Sequence, residues 1–112
     1  LMTHYRTQID DVLETVDILI TPSTPIVAPK IGAVEVETEG LTEPVGNAMM
    51  RFTNFFNTTG HPAISIPSGM HSLGLPMGVQ LVGKAFGEAS LLAFAHLINS
   101  QRQFKLPLPE IN

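Results

Sequence analysis

Ser23, Ser65, Ser68 and Ser72 are the hydroxyls of this sequence that invite a nucleophilic reading, and His4, His61, His71 and His96 are its candidate bases or metal ligands. A serine attacks a carbonyl efficiently only when a base takes its proton. None of the four lies in a Gly-x-Ser-x-Gly elbow, the strained turn that presents such an oxygen in α/β hydrolases. Ser65 falls inside an alternating apolar run and Ser68 in the turn after it, so both read as structural. The histidines share no i, i+4 or His-x-His spacing, and the sequence gives no metal site. His61, between Gly60 and Pro62, reads as a turn filler, and His96 as a partly buried helix residue. Asp10 and Asp11, like Glu35, Glu37 and Glu39, read as solvated charge. The alternate spacing of the three glutamates puts them on one strand face, where repulsion favours exposure. Gly83-Lys84 lacks the earlier glycine and the hydroxyl residue of a phosphate loop, so no cofactor is implied. On chemistry alone the chain carries nucleophiles but no recognisable reactive centre.

The elements that would position these residues follow from the pattern of apolar side chains. Met2, Tyr5, Ile9, Val12, Leu13 and Val16 recur at three- and four-residue steps and predict an amphipathic helix. Ile18-Leu19-Ile20 predicts a short buried strand, ended by the prolines of Thr21-Pro22-Ser23-Thr24-Pro25. Residues 26–44 contain Pro29, Gly32, Gly40 and four glutamates and read as a long surface loop, with Ala33–Glu37 a candidate edge strand. A second helix is expected from about Gly46 to Phe56, closed near Gly60 by a left-handed residue. Ala63–Ile66 predicts a second strand stopped by Pro67. Met77–Val82 predicts a third, antiparallel to the second across a hairpin-type loop. Gly87 opens a last helix with a broad apolar face of Leu91, Leu92, Phe94, Ala95, Leu97 and Ile98. Glu88 near its start and Arg102 near its end suit the helix dipole. The tail Leu106-Pro107-Leu108-Pro109 is expected to be extended.

Helices alternating with strands predict an α/β layered fold. The 112 residues suit one domain, spanning 1–112, and are too few for two. A 44% hydrophobic content excludes disorder, and 14% charged residues leave room for faces meant to be covered. A net charge of −4 argues against direct contact with nucleic acid. No apolar run approaches membrane-span length. The absence of cysteine fits a cytoplasmic protein. Leu1-Met2-Thr3-His4-Tyr5-Arg6 reads as the middle of a helix, as if the chain were cut from something longer.

Four segments, in order, carry a family resemblance. They are Asp17-Ile18-Leu19-Ile20-Thr21-Pro22-Ser23-Thr24-Pro25 with Ala28-Pro29-Lys30-Ile31-Gly32, then Arg51 to Gly69, Leu75 to Gly83, and Phe86 to His96. Together they resemble the C-terminal part of amidase-signature enzymes, which hydrolyse or transfer carboxamides. One departure is Gly87, where relatives usually have an Asp cap. The resemblance implies a C-terminal portion of an α/β/α fold, a partial mixed sheet with flanking helices. It also implies a Ser–Ser–Lys centre in a Gly/Ser-rich region further upstream. That region has no counterpart here, so no catalytic residue can be assigned and the chain alone is expected to be inactive. The remainder of the amidase chain is the implied partner. With the sheet edges left open, self-association is the expected alternative.

What the resemblance does carry over is substrate contact. Positions equivalent to Asn47, Met50 and Asn54 line the acyl pocket of related amidases, and their spacing places them on one helical face. The other reading of Met50 is core filler. The catalytic chains of glutamine-dependent tRNA amidotransferases carry Asp at the position of Met50, where it meets the substrate's amino group. A methionine cannot make that contact. The expected substrate is therefore a small, less polar amide. The catalytic chain of a tRNA amidotransferase, or a non-catalytic binding or assembly module, stands as the alternative.

Overall fold

Ile64 and Ile66 alternate with Ser65, and Val79 and Leu81 with Gln80, so two neighbouring segments each present one apolar and one polar face. Pairing them leaves an apolar surface that only another element can cover. The structure, a computed structural model, describes residues 2–103. Along them run α1 (Met2–Leu13), β1 (Leu19–Pro22), β2 (Glu35–Thr38), β3 (Leu41–Pro44), α2 (Val45–Met50), α3 (Thr53–Thr59), β4 (Ala63–Met70), β5 (Pro76–Val82) and α4 (Glu88–Gln101). One sheet has the order β1-β5-β4, and β2 with β3 makes a separate hairpin. Each of these pairs is antiparallel.

Register sorts the side chains onto two faces. Ile20 and Ile64 flank Leu81 across the sheet, while Thr21 and Ser65 flank Gln80. On the first face Ile66 and Leu81 pack with Leu91 and Ala95 of α4, ringed by Ile18, Ile64, Val79, Phe94 and Ile98. Burying one such aliphatic side chain stabilises the fold by about 1.5–3 kcal/mol. Thr21, Gln80 and Ser65 share the opposite, more polar face, over which the α2–α3 region lies.

The α/β character, the β4–β5 pairing and the last helix agree with expectation, and Gly60 closes α3 in the left-handed conformation at φ 75°. Several details differ. β1 ends at Pro22, as expected, but Pro67 does not stop its strand, because β4 is an outer strand of the sheet, where a missing donor is tolerated. β4 continues past Pro67 by a bulge: Pro67 sits opposite Gly78 and Gly69 opposite Met77, leaving Ser68 extra. Within the expected loop at 26–44 the candidate strand Ala33–Glu37 is found as β2, shifted to Glu35–Thr38, and β3, which was not expected, pairs with it in a hairpin. Its two-residue turn has Glu39 at φ 53° and Gly40 at φ 79°, the primed geometry that matches strand twist. Glu39 therefore leaves the strand, and only Glu35 and Glu37 remain exposed on β2.

The helix expected over 46–56 is two helices. Arg51 and Phe52 keep helical dihedrals, but the Arg51 amide turns to the carbonyl of Ala48, three residues back, at 3.3 Å. That tighter bond ends α2 and lets α3 start afresh. α4 has Gly87 as its N-cap with no side-chain cap. A turn bonded from the Gly87 amide to the Lys84 carbonyl precedes it, with Phe86 at φ 60° and its ring exposed. Leu92, His96 and Leu97 of α4 are exposed, so the broad apolar face is only partly used. The expected extended tail lies outside the described residues.

Candidate functional site

Phe56 is the buried anchor of α3, and Phe55 beside it meets Tyr5 of α1 edge-on, with ring centroids 5.9 Å apart. This contact brings α1 alongside α3, and a polar tie holds it there. His61 Nε2 lies 3.0 Å from Asp10 Oδ1, and His61 Nδ1 lies 3.0 Å from Thr59 Oγ1. His61 is buried, so it does more than fill a turn: it joins α1 to the end of α3. Asp10 is correspondingly a tie point rather than free solvated charge. Nothing local in the sequence signals a pairing between residues this far apart.

Between α1, α2 and α3 lies an open depression of about 520 Å³. Asn47 and Met50 enter it from α2, and Asn54 from α3, across the break between the helices. The three residues singled out from the sequence thus share one wall, although not one continuous helix. Met50 is 54% exposed, so it is not packed into a core formed by the described residues. Tyr5, Arg51, Phe55, Thr58 and Thr59 complete the lining. Sequence reading did not reach Tyr5, because only the docking of α1 brings it there.

The cationic member of the wall is already paired. Arg51 donates from Nη2 to Glu43 Oε1, and Thr38 donates to the same oxygen at 2.5 Å. These two donors, Thr38 foremost, hold the Glu43 carboxyl below its ordinary pKa against the opposing effect of burial. The depression therefore offers aromatic and thioether surface, two neutral amides and a neutralised guanidinium. That is a surface for an uncharged group with apolar bulk.

A second cleft, of about 570 Å³, runs between the 24–28 segment and the start of β5. It holds Ser68 and His71 among prolines and aliphatic side chains. His71 stands next to Ser72 in the chain, but its Nδ1 accepts the Leu73 amide at 3.1 Å and caps the 71–75 turn. Ser23 and Ser65 are hydrogen-bonded to each other across the sheet. Among the described residues neither bonds to a lysine or histidine nitrogen, so the pair has geometry without a base. No group of three His, Asp or Glu side chains converges on a common point among the described residues. No helix among them is long and apolar enough to cross a membrane.

Comparison with known proteins gives this geometry its context. The A subunit of glutamyl-tRNA(Gln) amidotransferase from Pelagibacter ubique is 40% identical over 89% of this chain, which covers 20% of that protein. Fatty acid amide hydrolase of Oryza sativa subsp. indica is 39% identical over 80% of the chain, covering 15% of its own length. The chain thus spans no more than about a fifth of these curated relatives. Among solved structures, the corresponding amidotransferase chain from Thermotoga maritima superposes with a TM-score of 0.80 at 28% identity, over 99% of this chain and 25% of that one. An amidase crystal structure superposes with a TM-score of 0.84 at 28% identity, over 89% of this chain and 23% of that one. Residues 1–92 match the Amidase family model, and the chain belongs to the amidase family.

Proposed function

We propose that this chain is the C-terminal portion of an amidase that hydrolyses an uncharged carboxamide to a carboxylate and ammonia, and that Asn47, Met50 and Asn54 form the acyl-side wall of its pocket. The observation that carries the reading is the depression itself. It gathers these three residues with Tyr5 and Phe55 while Glu43 occupies the nearby guanidinium. An apolar acyl group gains contact area on such a wall. An α-ammonium finds no counter-charge among the three wall residues, and burying it unpaired is costly. The existence of a relative named for fatty acid amides agrees with an apolar acyl group. The nucleophile and its base belong, in this reading, to a part of the enzyme outside this chain, and the chain alone is expected not to hydrolyse amides.

Met50→Asp tests the assignment in the complete enzyme. It should lower kcat/KM for aliphatic or aromatic amides and raise it for glutamine relative to them, by about tenfold or more in the ratio, because a carboxylate on the wall penalises apolar groups and pairs with a cation. If the ratio of the two substrates does not move, Met50 does not touch the acyl group.

A further inference from the structure

The two helices of this wall are not joined by a continuous ladder of hydrogen bonds, so something else must fix where Asn54 stands relative to Asn47 and Met50. Gln80 is the side chain in position to do so. It lies on the central strand, is only 5% exposed, and its one amide nitrogen reaches two acceptors. Nε2 donates to Thr21 Oγ1 at 3.1 Å and to the Phe52 carbonyl oxygen at 3.5 Å. Phe52 is the N-cap of α3 and stands at the break after α2. An N-cap carbonyl accepts the first bond of its helix and keeps a second lone pair. The Gln80 amide has two hydrogens, enough to serve both contacts, of which the one to Phe52 is the longer and weaker. The other bond runs to β1, where Thr21 is opposite Gln80 in register and itself donates to the Pro22 carbonyl; the link to Phe52 is carried by the central strand itself.

We infer that Gln80 is a positioning residue for the acyl pocket: it ties the break between α2 and α3 to the sheet and thereby sets the spacing of Asn54 from Asn47 and Met50. The inference rests on the proposed pocket for its functional half, and on the hydrogen bonds alone for its structural half. Leucine at this position would keep most of the buried volume and lose both donors. The break between the helices would then lose its tie to the sheet, while the Glu43–Arg51 pair still holds α2 and the His61–Thr59 bond still holds the end of α3. Thr21→Val is the matched control, because it removes a part-buried hydrogen bond from the same face and leaves the link to Phe52 in place.

The test has two arms. In the chain itself, amide hydrogen exchange over residues 50–56 should quicken by about fivefold in Gln80→Leu, the scale of one lost hydrogen bond, while β4–β5 protection persists. Thr21→Val should leave exchange in that segment unchanged. Equal effects of the two variants, or none in Gln80→Leu, would overturn the inference, since either means that Gln80 supports only the sheet. In the complete enzyme, Gln80→Leu should alter KM for bulky relative to small acyl amides by about fivefold or more, with kcat for the small amide little changed. Should Met50→Asp change substrate preference while Gln80→Leu does not, the positioning role is refuted and the pocket survives. Should neither change it, the pocket assignment fails first and takes this inference with it.

Discussion

A β-carbon added to Gly78 would come 3.0 Å from Ser23 Oγ, 3.2 Å from Ser65 Oγ and 3.3 Å from the Ile66 carbonyl oxygen. The two serines meet across the central strand only because that strand carries hydrogen there. Two hydroxyls that the sequence offers singly are thus joined in one cross-strand bond over a glycine. Gly78→Ala should destabilise the chain by about 1–3 kcal/mol through forced separation of these groups. Urea unfolding of Gly78→Ala, alone and with Ser23→Ala plus Ser65→Ala, checks the cause. Much of the cost should disappear when both hydroxyls are gone. A cost that persists in full would place the clash on the Ile66 backbone instead.

At the scale of elements, the β2–β3 hairpin and α2 behave as one unit through Glu43, Thr38 and Arg51. The Glu43 carboxyl is held below its ordinary value, about 4.3 in an unfolded chain. Its contribution to stability is therefore fully present above that value and is lost as pH falls through the lower folded value. Denaturation midpoints of the chain and of Glu43→Gln, followed from neutral pH to about pH 3, should converge on acidification. Parallel curves would mean that the ionised carboxylate adds nothing. This unit also shows what the sequence could and could not disclose. The β4–β5 hairpin, α4 and the Gly60 cap were legible because alternation, helical spacing and a left-handed glycine act within a few residues. The strand-internal Pro67 was not, since whether a strand is an outer one depends on the whole sheet. Nor was the break at Arg51–Phe52, whose partners are Glu43 on a hairpin and Gln80 on another sheet. Asn47, Met50 and Asn54 were reached through family resemblance, whereas Tyr5 and the Asp10–His61 tie arise only on folding.

At the scale of the molecule, β1 and β4 both present a backbone edge that is unpaired among the described residues, and Ile20 on β1 is 58% exposed. Leu92 and Leu97 of α4, Val34 and Leu41 beside the hairpin, and Phe86 in its left-handed turn are open as well. Among the described residues, more large hydrophobic side chains are exposed than buried. Such a surface suits a chain that spans about a fifth of its relatives; on the proposed reading, the remainder of an amidase would cover it. By itself the chain is expected to self-associate, through edge pairing or burial of the open faces. Light scattering across a concentration series, together with binding of a hydrophobic dye, examines this; a monodisperse monomer that leaves the dye dark would contradict it.

The strand order has a consequence in time. β4 and β5 are joined by the short 71–75 turn, whereas β1 reaches β5 only after roughly half the chain has been looped out. Closing the short loop first is entropically favoured, so the hairpin should assemble early and β1 should dock late. Until it does, β5 is itself an outer strand, with Leu81 and Val82 uncovered on one side. Substitutions such as Ile64→Val should then slow refolding, while Leu19→Ala should chiefly hasten unfolding. Stopped-flow refolding and unfolding of the two variants would read this directly. The reverse pattern would mean that β1 belongs to the nucleus. On this view the vulnerable moment in the life of the chain is the wait for its first strand.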